Sequence, residues 1–80
     1  MRALFDTGST YSFIALHRVD YIPYSRISLP YHLIVTTLGD KIMVAREMFE
    51  NCEIEVHDKK LLGDLEILDI RDFDLILGMD

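Results

Sequence analysis

Tyr31-His32-Leu33-Ile34-Val35-Thr36-Thr37-Leu38-Gly39-Asp40-Lys41-Ile42-Met43-Val44-Ala45-Arg46 decides the fold class. Tyr31 to Leu38 is rich in β-branched residues, which suit the pleated surface of a sheet. Lys41 to Arg46 resumes the pattern, with Ile42 and Val44 facing the same way. Between the runs, Leu38-Gly39-Asp40 offers the glycine and aspartate that a tight turn uses for positive φ. The stretch predicts a β-hairpin.

The same pattern continues on both sides. Cys52, Ile54 and Val56 alternate with Glu53 and Glu55, as in a strand with one buried and one solvated face. Cys52 is expected to be a small buried apolar residue. His57-Asp58-Lys59-Lys60 reads as a polar turn. Leu61 to Ile70 follows, with Leu65 and Ile67 on one face and with Asp64, Glu66 and Asp69 mostly solvated. Phe73-Asp74-Leu75-Ile76-Leu77-Gly78 is a short apolar run closed by glycine, as in a fully buried strand. Towards the N-terminus, Ile22-Pro23 and Leu29-Pro30 mark irregular or edge segments, because proline lacks a ladder donor. Only Tyr11 to Arg18 has spacing compatible with a helical turn or two. Ala3-Leu4-Phe5 is an apolar run that enters the turn-like cluster Asp6-Thr7-Gly8-Ser9. The reading is all-β, with short strands and frequent turns.

Eighty residues make one small domain, 1–80, with no repeat or linker dividing it. Half the residues are apolar and 28% are charged, so a packed core is expected rather than disorder. A core of this size is marginal alone, and a partner subunit is an ordinary remedy. The net charge of -6 provides no basic stripe, which argues against nucleic acid and against a polybasic membrane anchor. Apolar runs such as Leu75-Ile76-Leu77 are far too short to span a bilayer. Met1 to Phe5 reaches an acidic residue at once and does not read as a signal peptide. One cysteine excludes an intramolecular disulfide and fits a reducing, cytoplasmic location. His17, His32, His57 and Cys52 lack zinc-ligand spacing, so structural zinc is not expected.

Chemistry centres on Asp6. A strand end would fix its carboxylate, Gly8 would let the backbone approach and offer its N–H, and the Thr7 hydroxyl would lock the loop against a neighbour. An aspartate in an ordinary surface turn explains the same residues. A phosphotransfer site of the haloacid dehalogenase type would want a second acid two residues on, where Gly8 stands. The apolar-apolar-glycine run Ile76-Leu77-Gly78, after an acidic strand-turn-strand stretch, changes the balance.

With that run included, the chain resembles the retroviral-type aspartic protease domain of gypsy-like long-terminal-repeat retrotransposons, especially those of plants. Ala3-Leu4-Phe5-Asp6-Thr7-Gly8 resembles the family's apolar strand entering Asp-Thr/Ser-Gly. Ser9-Thr10-Tyr11-Ser12-Phe13-Ile14 resembles the Ser/Thr-rich stretch that follows. Asp72-Phe73-Asp74-Leu75-Ile76-Leu77-Gly78-Met79-Asp80 resembles the late signature, which is the more specific half.

The resemblance implies a pepsin-like half-domain, a closed β-barrel that pairs as a homodimer, and it implies no cofactor. Each chain would supply one catalytic aspartate, Asp6. Thr7 would brace the two active-site loops across the subunits, with Gly8 and Ser9 completing the loop. Ile76, Leu77 and Gly78 would pack beneath it. The hairpin at Thr36, Thr37, Leu38, Gly39 and Asp40 would be the flap over an extended peptide or polyprotein substrate. Asp72 and Asp74 are assigned hydrogen bonds to turn N–H groups, a structural role. Domains of the family carry a strand before Asp-Thr-Gly and a helix after Gly-Met-Asp, so the chain is expected to be truncated at both ends. A catalytically inactive dimerisation or peptide-binding module is the alternative function.

Overall fold

The computed structural model describes residues 2–6, 8, 10–36, 39–56 and 58–78, with 59 and 61 as backbone only. Among them the elements are β1 (Ala3–Asp6), β2 (Phe13–Ala15), a 3-10 helix (Leu16–Tyr21), β3 (Ile27–Thr36), β4 (Ile42–Val56), β5 (Lys59–Leu68) and β6 (Leu75–Gly78). All six strands join one sheet in the order β1-β6-β2-β5-β4-β3. The fold is all-β and barrel-like, although β1 and β3 stand as edges not hydrogen-bonded to each other.

The hairpin forms as its sequence predicts, with Thr36 opposite Ile42 and Ile34 opposite Val44. Its left-handed residue is Asp40, at φ 60°, and no described glycine has a positive φ. Aspartate tolerates this region because its short polar side chain bonds locally. Pro30 falls within the irregular stretch of β3 between Ser28 and Leu33. At a sheet edge its missing N–H removes no ladder bond.

β4 runs through both apolar stretches that read separately in the sequence. Phe49 faces Leu65 while Cys52 faces Gly63, so β4 carries one extra residue between them. Asn51 takes φ 53° in this bulge, and its N–H donates to Asp64 Oδ1 at 2.9 Å. The bulge absorbs a change of phase without ending the strand.

The helical segment lies later than its spacing suggests. Phe13–Ala15 is a strand held between parallel β5 and antiparallel β6. All three of its residues are buried, and pairing on both sides outweighs the weak helical spacing. One core cluster includes Ile14, Phe49, Cys52, Leu65, Leu75 and Leu77, and a second gathers around Phe13, Ala45 and Leu68. Both faces of β5 are therefore buried from Leu65 to Leu68. Glu66, which reads as solvated, is only 5% exposed. Its neighbours in register are Phe13 of β2 and Met48 of β4, so the strand is interior and its second face is covered.

Candidate active site

Asp6 closes β1, whose sheet neighbour is β6. The two strands are parallel and place Leu4 opposite Ile76, Phe5 opposite Leu77 and Asp6 opposite Gly78. Parallel pairing brings both C-terminal strand ends to one place, so the two sequence motifs meet there. Leu77 is buried in the first core cluster and Ile76 packs against the second. Gly78 donates its N–H to Ser12 Oγ at 3.1 Å, which ties the end of β6 to the segment before β2. Ser12 belongs to the stretch quoted above, but no role for it was legible there.

The Gly8 N–H donates to Asp6 Oδ1 at 2.9 Å. A Cβ on Gly8 would meet that oxygen at 3.5 Å, an ordinary contact. Glycine therefore contributes through its amide at this position, and the close approach expected from its missing side chain is not required. Asp6 is exposed, so its carboxylate is open to an incoming group. Thr7 and Ser9 lie outside the described residues, as do Thr37 and Leu38 of the hairpin. Thr36 ends β3, and Gly39 and Asp40 lie in the turn before β4. Ile34 and Ile42 beside it are 66% and 68% exposed, an unusual display of apolar surface on a hairpin.

Asp74 is the anchor under this site. Its Oδ2 accepts the Arg2 N–H at 2.6 Å, Arg18 Nε donates to Oδ1 at 2.8 Å, and His17 Nε2 lies 3.0 Å from the same oxygen. Its backbone joins in, with Asp74 N–H on the Arg2 carbonyl at 2.8 Å and Ala15 N–H on the Asp74 carbonyl at 2.9 Å. The Arg2 amide, then Arg18 and His17, hold this carboxyl far below the usual carboxylate range. The guanidinium of Arg2 also lies 5.0 Å from the Phe73 ring centre. One aspartate thus joins the entry to β1, the start of the helix and the entry to β6. Asp72, by contrast, is exposed.

Cys52 is buried, which pushes its thiol pKa up and leaves it a packing residue. Among the described residues no group of three or more His, Cys, Asp or Glu is placed to hold a metal ion. A family model described as Retroviral aspartyl protease matches residues 1–80 of the chain. No match is found among curated proteins.

Proposed function

The chain belongs to the retroviral aspartyl protease family, and from that premise we propose that it is an aspartic endopeptidase whose site is completed by a second copy. One observation carries the reading. Asp6 stands exposed at the end of an edge strand, its carboxylate fixed by the Gly8 amide and its strand backed by Ile76-Leu77-Gly78.

A single aspartate per chain needs another for this chemistry. Two carboxylates about 3 Å apart cannot both ionise, so the pair shares one proton and its pKa values separate. The ionised carboxylate takes a proton from water, which attacks the scissile carbonyl. The protonated one polarises that carbonyl and later helps protonate the leaving amine. Thr7 braces the two loops across the dimer. The β3–β4 hairpin, from Thr36 to Asp40, closes as a flap over an extended peptide bound as an added strand. The substrate is a polyprotein, and the Asp72 to Asp80 signature points to a gypsy-type, plant-like retrotransposon source. A single buried thiol suits work in the reducing cytoplasm.

The test is cleavage of an unstructured protein at mildly acidic pH and high chain concentration. The wild type should cleave, with a rate that falls faster than linearly on dilution. Asp6→Asn should lose a factor on the order of 10³ or more while keeping its fold. Cleavage retained by Asp6→Asn removes this residue from the mechanism.

A further inference from the structure

Next to the segment that follows the Asp6 loop, a cavity of about 420 Å³ opens over β3, β4 and β5. Thr10, Tyr11, Tyr31 and Met48 line it, together with two acids of β5, Asp64 and Glu66. Among the described residues no lysine, arginine or histidine lines it. Ser12 joins it to the active site, because its carbonyl accepts the Glu66 N–H at 3.0 Å and its hydroxyl accepts that of Gly78 at 3.1 Å.

Glu66 is the unusual member. It is 5% exposed, and its carboxylate accepts a hydrogen bond from its own backbone while no described cation pairs with it. Asp64 is exposed at the rim and adds a second negative charge. We propose that this cavity is the substrate subsite for a lysine or arginine side chain, with Glu66 as the specificity-determining carboxylate and Asp64 as its rim partner. The proposal rests on the aspartic protease reading and names one part of its substrate.

Physical chemistry favours that occupant. A carboxylate withdrawn from water without a counter-charge is unfavourable, and a guest cation within hydrogen-bond reach reverses this. Burial and, less, the Asp64 charge push the Glu66 carboxyl up against its backbone hydrogen bond, and a bound cation acts in the opposite direction. Tyr11 and Tyr31 add aromatic lining, which suits an ammonium or guanidinium, and Met48 adds an apolar lining for its aliphatic stem. An extended peptide presents alternate side chains to such pockets.

The experiment measures equilibrium binding of labelled octapeptides to the Asp6→Asn chain, which does not turn them over. Lysine is moved through the positions and compared at each with norleucine, its uncharged analogue. One position should bind about tenfold tighter with lysine. Adding Glu66→Gln should remove that preference, so that lysine and norleucine peptides bind alike. Asp64→Asn, at an exposed position, should reduce the preference by about threefold. The proposal is overturned if no peptide binds, if no position prefers lysine, or if the preference survives Glu66→Gln. Wild-type cleavage is read separately. Cleavage without a lysine preference rejects the subsite and keeps the protease; a lysine preference without cleavage does the reverse.

Discussion

Asp74 and Glu66 are two buried acids with opposite effects on stability. The folded state lowers the pKa of Asp74, so its contribution is fully present above the ordinary aspartate value near about 3.9 and is lost as pH falls through the lower folded value. Asp74→Asn should lower the melting temperature at pH 7 by roughly 5 °C or more, and the gap should narrow below about pH 4. A gap that persists undiminished in acid would assign the loss to packing instead. Glu66 is raised, so the fold favours its protonated form; stability is full below the ordinary glutamate value and falls as pH rises through the folded value. Glu66→Gln should therefore resist more urea than wild type at pH 7, with the two curves converging near about pH 4. Equal midpoints at neutral pH would contradict a carboxylate whose ionised form is penalised by burial. Neither environment was legible in the sequence. Asp74 stood out as part of a motif, but its main partner is a backbone N–H 72 residues away. Glu66 alternates with Leu65 and Ile67 and so looks solvated, because period-two patterning assumes one open face and cannot tell which strands lie inside a sheet.

At the scale of elements, local chemistry was the easier part to read. The hairpin, the Cys52 to Val56 alternation and the apolar run ending at Gly78 are all present, since each depends on neighbouring residues. The joining of two runs into the single strand β4 was not legible, because the bulge that permits it depends on pairing with β5. Asn51 is the residue to test. Its φ of 53° strains a β-branched side chain but not glycine. Asn51→Val should cost about 1–2 kcal/mol in urea unfolding, whereas Asn51→Gly should stay within roughly 0.5 kcal/mol of wild type. Equal losses for both would point to the Asn51 side chain rather than the backbone.

For the whole molecule the sheet order matters most. Placing β6 between β1 and β2 unites Asp6 with Ile76-Leu77-Gly78, and the family signature brought those residues to notice without giving their register. The same order leaves β1 at an edge, with Leu4 38% and Phe5 42% exposed. Such an edge invites pairing, and a charge on it discourages pairing. Leu4→Glu should weaken self-association by about tenfold or more in sedimentation, with the monomer's circular dichroism unchanged. An unchanged dissociation constant would place any self-association away from this edge.

The parallel pairing of β1 with β6 also imposes an order in time. β1 is made before its sheet neighbour and the Asp74 anchor, whose amide partner lies 72 residues away along the chain. Closing so long a loop is entropically slow, and few local contacts reward it beforehand. Asp6 thus stays without its sheet neighbour until β6 has been made, and the candidate site assembles only after the strands between them have been translated.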